Sequence, residues 1–322
     1  MKAIRVHRPG GPDVLKLEEV PTPKPARGEL RVRLEAIGVN YTDVQLRLGN
    51  YDVPLPVTPG REGAGVVDAL GDGVTGFKIG DRVAWAPIQG AYAEQALVPA
   101  AQAIQVPAGM ASRMAAAVML QGMTAHYLCR STYPLRSGEA CLIHAGAGGM
   151  GLMLIQMCKR IGATVYTTVS TEAKAALARE AGADHVIVYT RQDFEAEIER
   201  LAGQNRLAVI YDAVGKTTFA KGLNLLRPRG VMALYGAAGG EVPPLELREL
   251  SAKGSLFVTR PMLGHYLLTR EELEWRAGDV MNAVNSGEIQ VRIEATYPLA
   301  QAAAAHAALE GRRTTGKLLL IP

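Results

Sequence analysis

Ala145-Gly146-Ala147-Gly148-Gly149-Met150-Gly151 is the stretch on which the reading of this chain turns. It lies between an apolar run, Ala140–His144, and an apolar run with helical spacing over residues 152–161. The pattern predicts a strand, a tight glycine turn and a helix. A second apolar strand, Thr164–Val169, follows at the spacing of a βαβ unit. Glycines let the backbone approach a pyrophosphate closely and let the helix pack on the strand. The helix N-terminus then offers free N–H groups and a partial positive charge to the phosphates. A glycine triplet by itself is common, but between a strand and a helix it points to a dinucleotide site.

Working outward, strand and helix signals alternate after the turn. Residues 171–181 read as helix, His185–Val188 as strand, Phe194–Ala202 as helix, Leu207–Asp212 as strand, Phe219–Leu225 as helix and 230–235 as strand. Such alternation predicts an α/β fold with a doubly wound parallel sheet, and Gly148 falls at its first βα turn. Upstream, residues 14–20, 30–37, Gly63–Leu70 and 82–86 alternate like short strands, with a proline-rich linker at 21–25 and glycine turns between them. These signals suit a small barrel-like β domain. Residues 111–120 and 124–130 are Ala- and Leu-rich with helical spacing. Toward the end, a helical pattern at 271–284 and another at 302–308 accompany strand signals at 289–297 and Lys317–Ile321. The alternating character returns there, so the tail is expected to rejoin the first domain.

The 322 residues suffice for two domains, each with its own core. A formal charge of +4, with Lys and Arg dispersed, gives no reason to expect a nucleic-acid or membrane surface. Arg312, Arg313 and Lys317 form the one basic cluster. The three cysteines, Cys129, Cys141 and Cys158, have no CxxC spacing and sit among apolar neighbours, which reads as buried thiols in a reducing compartment. With no leader-like start and no spanning run, a cytoplasmic location is the expectation.

Dinucleotide folds that take NAD usually end their second strand with an acid for the ribose hydroxyls. Here that place holds Val169-Ser170-Thr171, followed by Lys174. Two hydroxyls and a lysine suit a 2′-phosphate, which a carboxylate would repel, so NADPH is favoured over NADH. Glu172 is adjacent and reads as a complement to the helix dipole. The alternative for Lys174 is a solvated surface lysine, and Tyr189 either flanks the same phosphate or packs at its strand end.

Gly10-Gly11-Pro12-Asp13-Val14-Leu15, Gly38-Val39-Asn40-Tyr41-Thr42-Asp43, Pro59-Gly60-Arg61-Glu62-Gly63-Ala64-Gly65 and Gly80-Asp81-Arg82-Val83 occur in this order. They are followed by Gln121-Gly122-Met123-Thr124-Ala125-His126-Tyr127, the glycine turn, and Arg312-Arg313-Thr314-Thr315-Gly316-Lys317. On these stretches the whole chain resembles the quinone oxidoreductase (zeta-crystallin-like) branch of the medium-chain dehydrogenase/reductase superfamily. The resemblance implies a GroES-like β-rich catalytic domain over residues 1–121 and 266–322 and a Rossmann NADPH-binding domain over 122–265. It also implies a homodimer or dimer of dimers. By the same resemblance Gly148, Gly149, Met150 and Gly151 meet the pyrophosphate, and Ser170, Lys174, Tyr189 and Arg312 surround the 2′-phosphate. Thr124 and Tyr235-Gly236-Ala237 fall at the nicotinamide, and Asn40 on the substrate side.

Zinc-dependent members of the superfamily place a cysteine within the stretch where this chain has Val39–Asp43, and a histidine where it has Arg61. They also carry a four-cysteine lobe that is missing here. A catalytic zinc needs three protein ligands, so a metal-free protein is expected. Without a Lewis acid the natural acceptors are quinones and activated enones, in which added hydride density delocalises onto an oxygen. Asn40, Tyr41 and Tyr51 are the candidate donors to that oxygen or shapers of its pocket. The alternative for Asn40 is a brace of its own loop, and for Tyr41 a place in the core. Gln45 stands where several relatives have a tyrosine. Arg61 is expected to pair with Glu62 or Asp43, and His126 and His144 to be core histidines. An enoyl-thioester or alkenal reductase, or an NADPH-binding protein without turnover, are the alternatives.

Overall fold

The computed structural model describes residues 1–203 and 206–322. The chain divides into two compact units, Met1–Met123 with Leu267–Pro322, and Thr124–Tyr266.

The first unit opens with β1 (Lys2–Arg5), a short turn of 3-10 helix at Pro12–Val14, and β2 (Lys16–Glu19). The helical turn takes the first residues of the alternation at 14–20, so the strand is shorter than its pattern. It continues with β3 (Glu29–Val39), α1 (Tyr41–Arg47), β4 (Gly63–Leu70), β5 (Arg82–Trp85), β6 (Gln95–Pro99), β7 (Ile104–Gln105) and α2 (Ser112–Tyr127). β3 is the spine of this unit. β4 pairs with it along one side, while β6 and the C-terminal strand share the other. Its inward residues Leu30, Val32, Leu34 and Ile37 join Val67, Val83, Trp85 and Val98 in one apolar core. The two-residue strand period holds from Leu30 to Leu34, and a register shift before Ala36 brings Ile37 onto the same face.

The two Ala-rich patterns at 111–120 and 124–130 form one helix, α2, whose last turn continues into a π-helical stretch at Leu128–Thr132. Glycine in a helix interior costs about 1 kcal/mol relative to alanine. Gly122 is nevertheless accommodated, because a Cβ there would meet Val280 Cγ1 at 2.4 Å; the helices pack through the missing side chain.

The second unit holds β8 (Ala140–His144), α3 (Gly149–Ile161), β9 (Thr164–Val169), α4 (Glu172–Glu180), β10 (His185–Val188), α5 (Phe194–Ala202), β11 (Leu207–Asp212), α6 (Phe219–Leu225), β12 (Leu226–Leu234), α7 (Leu247–Ala252) and β13 (Phe257–Thr259). The six strands lie in the order β10-β9-β8-β11-β12-β13, and every pairing is parallel. Strand order reverses beside β8, as in a doubly wound sheet. β12 begins earlier than its apolar pattern, with a register shift against β11 where Arg229 turns to a φ of 62°. The chain returns to the first unit through α8 (Arg270–Asn285), β14 (Ile293–Pro298), α9 (Ala302–Glu310) and β15 (Lys317–Ile321). β14 and β15 pair in parallel, and β15 runs antiparallel to β3.

Candidate functional site

In the second unit, β8 ends at His144 and the backbone turns at Ala145, whose φ is 59°. Gly146 passes so close to β9 that a Cβ would stand 2.0 Å from Thr167 Oγ1, and a Cβ on Gly151 would stand 2.4 Å from the Ala145 carbonyl oxygen. Gly148 is the N-cap of α3 and brings no capping side chain, whereas Thr171 caps α4 and Asp193 caps α5 through their oxygens. The first-turn N–H groups of α3 are thus left to an anion. A cradle of backbone that a Cβ would fill fits the pyrophosphate of a dinucleotide. His144 is buried; its Nδ1 meets Thr168 Oγ1 at 2.9 Å and its Nε2 has no partner. Burial holds its imidazole below the usual range, so it is neutral at pH 7.

One strand further, β9 and β10 end side by side. Tyr189 donates its N–H to the Val169 carbonyl at 3.0 Å, and Thr190 Oγ1 donates to the Ser170 carbonyl at 2.9 Å. Ser170, Thr171, Lys174 and Tyr189 therefore share one corner, with Thr171 Oγ1 accepting the Lys174 N–H at 3.3 Å. Glu172 is exposed and faces Arg191 Nη1 at 3.4 Å and Arg179 at 4.0 Å. Arg191 is a cation that sequence reasoning missed; its signal is a basic residue three positions after the end of an apolar strand.

At β11 and β12, Asp212 is buried and accepts the N–H groups of Val214 and Gly215 at 2.7 and 3.0 Å and the Thr218 hydroxyl at 2.7 Å. Tyr235 donates its N–H to the Asp212 carbonyl at 2.9 Å, and a Cβ on Gly236 would meet the Ala213 carbonyl oxygen at 2.7 Å. Burial and the nearby Asp212 charge push the Tyr235 phenol well above its usual range. Ala145, Ser170, Tyr189, Asp212 and Tyr235 thus all lie at or just beyond strand C-termini, the edge at which parallel sheets hold their ligands. Thr124, the first residue of this unit, is nearly buried on α2.

In the first unit, Asn40 precedes α1 and donates its backbone N–H to Asp43 Oδ2 at 2.9 Å. Its side-chain Nδ2 donates to Glu62 Oε2 at 2.8 Å, and its Oδ1 accepts from Lys317 Nζ at 2.8 Å. Lys317 also pairs with Glu62. The expected pairing of Arg61 with Glu62 or Asp43 does not form. The chain bends at Arg61, after Gly60 with its φ of 91°. Glu62 is buried against Lys317 and Asn40, while the Arg61 guanidinium lies over the Tyr51 ring, 5.8 Å from its centroid. Tyr41 is half-buried and Tyr51 exposed. Gln45 Oε1 accepts from Asn50 Nδ2 at 2.5 Å, tying α1 to the following loop.

Behind Asn40 the buried polar groups continue. Tyr92 Oη donates to Asp43 Oδ2 at 3.2 Å and meets His306 Nε2 at 2.9 Å, while Arg47 holds Glu310 through two hydrogen bonds of 2.8 and 2.7 Å. Asp43 Oδ1 has no partner. Burial raises the Asp43 carboxyl to about 7, against the lowering pull of its hydrogen bonds and Lys317. Burial lowers His306 to about 4. Sequence reasoning missed Lys317, Tyr92 and His306 as members of this cluster. The signal for Lys317 was a charge opening the otherwise apolar β15. Arg312, with a φ of 53°, lies in this unit between α9 and β15. Among the described residues no three His, Cys, Asp or Glu side chains converge as a metal site.

Residues 26–108 match the alcohol dehydrogenase GroES-like domain, and residues 149–276 match the family described as zinc-binding dehydrogenase. The chain is 43% identical to a quinone oxidoreductase of Pseudomonas aeruginosa over 324 aligned positions, covering 100% of this chain and 99% of that one. It is 42% identical to a 2-haloacrylate reductase of a Burkholderia species, covering 99% and 98% of the two chains. The solved Escherichia coli quinone oxidoreductase complexed with NADPH superposes with a TM-score of 0.98 at 40% identity, covering 100% of both chains.

Proposed function

Because the chain belongs to the quinone oxidoreductase family of the medium-chain dehydrogenases/reductases, we propose that it is an NADPH-dependent reductase of quinones and other activated enones. The observation that carries this reading is the uncapped N-terminus of α3 behind the glycine turn, with hydroxyls and cations rather than an acid at the end of β9. Gly148, Gly149, Met150 and Gly151 receive the pyrophosphate. Ser170, Lys174, Tyr189 and Arg312 bind the 2′-phosphate, where Lys and Arg offer fixed positive charge. Arg191 adds to that field. Thr124, Tyr235 and Gly236 bound the nicotinamide, and burial keeps the Tyr235 phenol protonated.

NADPH supplies the hydride when bound. What remains for the protein is orientation and stabilisation of the oxygen on which charge develops. Asn40, Tyr41 and Tyr51 are the donors on the acceptor side, and Arg61 holds the Tyr51 ring from above. We propose that the reaction needs no metal. The donor chemistry supports this: the group on Asn40 Oδ1 is an ammonium, which repels a cation, and Arg61 is a further fixed charge nearby.

A broader acceptor range has a specific argument. The relative from the Burkholderia species is, by its name, a reductase of a 2-haloacrylate, an acid whose carbon–carbon double bond is conjugated to a carboxyl group. Hydride addition to such a bond also leaves charge on a conjugated oxygen. No helix among the described residues is long and apolar enough to cross a membrane. We propose a cytoplasmic homodimer; β13, with Phe257 exposed at the sheet edge, supports association. The deciding experiment is an acceptor screen at fixed NADPH, followed by loss of reduced nicotinamide absorbance. Turnover with 1,4-benzoquinone or 9,10-phenanthrenequinone is expected. Turnover of crotonyl thioesters alone would replace the quinone reading, and NADPH binding without turnover of any acceptor would remove catalysis.

A further inference from the structure

The carboxamide of Asn40 is enclosed by groups of opposite hydrogen-bonding kind. Lys317 Nζ stands 2.8 Å from Oδ1. An ammonium has donors and no lone pair, so only the amide oxygen can face it. Glu62 Oε2 stands 2.8 Å from Nδ2. A carboxylate only accepts, so only the amide nitrogen can face that side. Turning the amide over would set nitrogen against the ammonium and oxygen against the carboxylate.

The two enclosing groups are themselves anchored. They pair with each other, and both are buried, Glu62 at 0% and Lys317 at 1% exposure. The second carboxylate oxygen, Oε1, accepts the Leu120 N–H of α2 at 2.6 Å. Gly38 leaves the space Glu62 needs, since a Cβ there would lie 2.0 Å from Glu62 Oε2. One N–H of Asn40 is committed to Glu62. The other meets only the Gly38 carbonyl at 3.4 Å, a long contact.

We propose that Lys317 and Glu62 are positioning residues: the pair locks the Asn40 carboxamide in the orientation that presents an N–H, rather than a lone pair, to the oxygen of the acceptor. This rests on the acceptor-side role proposed for Asn40. A buried ion pair is a poor source of net stability, since an apolar pair of similar volume often does as well. What an apolar pair cannot do is tell the two ends of an amide apart.

The test separates orientation from folding. Lys317→Met alone strands a buried carboxylate and is expected to lower the melting temperature. The double variant Glu62→Gln with Lys317→Met removes both charges at nearly constant volume. It also inverts the preference around Asn40, because the glutamine amide introduced in place of the carboxylate can donate. Its melting temperature is expected close to that of the unsubstituted protein. Its kcat with a fixed quinone is expected to fall about 100- to 1,000-fold, the scale of losing one donor to an oxyanion, with an unchanged KM for NADPH. A double variant with recovered stability and full kcat overturns the proposal.

Asn40→Ala separates this from the reading beneath it. If kcat falls in Asn40→Ala but not in the double variant, only the positioning inference fails. If Asn40→Ala leaves kcat unchanged, the acceptor-side role of Asn40 fails, and the inference with it. Should the double variant not fold, Lys317→Arg, which only donates, is expected to retain several-fold more kcat than Lys317→Gln, whose amide can turn either way. Equal kcat in those two overturns the proposal as well.

Discussion

The glycine cradle and the Asn40 cluster are built on opposite principles. The cradle is backbone: a turn, a helix N-terminus and the absence of side chains, all within residues 145–151. The Asn40 cluster is side chain: two carboxyls, an ammonium, a phenol and an imidazole drawn from positions up to 277 residues apart. The first binds charge by leaving N–H groups open to a ligand. The second pairs its charged and amide groups with one another and so fixes the direction of the Asn40 carboxamide, while Asp43 Oδ1 and His306 Nδ1 stay unpartnered. A backbone site is broken by adding an atom, and a side-chain cluster by changing a proton or a charge.

The largest effect is expected from adding atoms to the cradle. Gly151→Val puts a branched side chain where even a Cβ would lie 2.4 Å from the Ala145 carbonyl oxygen, so α3 must move off the turn. NADPH binding measured by calorimetry should be lost or weakened at least about 100-fold, as expected when a phosphate cradle loses several N–H contacts. Retained affinity would detach the cofactor from this turn.

Changing a proton in the cluster should give the next effect. The Asp43 carboxyl is raised from 3.8 to about 7, so the folded protein keeps its proton where the unfolded chain has lost it. Its contribution to stability is full below pH 3.8 and is lost as pH rises to about 7. The amide introduced by Asp43→Asn does not titrate. The stability of this variant relative to the unsubstituted protein should therefore improve between pH 4 and 7, by up to about 4 kcal/mol, and level off above. His306, lowered to about 4 by burial, makes both proteins more stable as pH rises from 4 to 6.5, so it cancels in the difference. Urea denaturation at several pH values measures it, and a difference independent of pH would show that Asp43 does not titrate in this range.

A charge change at the outer corner of the cradle should be smaller and selective. Lys174→Glu is expected to raise KM for NADPH about 10-fold, the worth of one charge-assisted contact, and to leave KM for NADH nearly unchanged. Equal effects on the two would remove Lys174 from the 2′-phosphate. The smallest expected effect is none: prolonged EDTA treatment should leave kcat unchanged, and stoichiometric zinc by elemental analysis would refute metal-free catalysis.

The same contrast explains how much is legible beforehand. β8, β9, β10, β11 and β15 carry the bounds of their apolar runs, and the turn between β8 and α3 follows from consecutive glycines. The helix predicted as two pieces is one because Gly122 packs on Val280, a contact between distant parts of the chain that no local pattern contains. Arg61 looks like the partner of Glu62 by adjacency, yet Glu62 is taken by Lys317 and Asn40 while Arg61 lies over Tyr51. Lys317 reads in the sequence as part of a basic cluster, and only the pairing of β15 with β3 carries it inward to Asn40.

By itself the sequence determined the doubly wound sheet, the glycine turn at its first crossover, and the missing acid after β9 that favours NADPH. Each of these is a matter of period, glycine and charge within a few dozen residues, so local chain physics suffices. Only the tertiary structure decided which charge meets which: that Lys317 rather than Arg61 holds Glu62, that Arg191 joins the corner of Ser170 and Lys174, and that Asp43 lies deep enough to hold a proton near neutrality. Those depend on strand register and burial, through which residues far apart along the chain share one small low-dielectric volume.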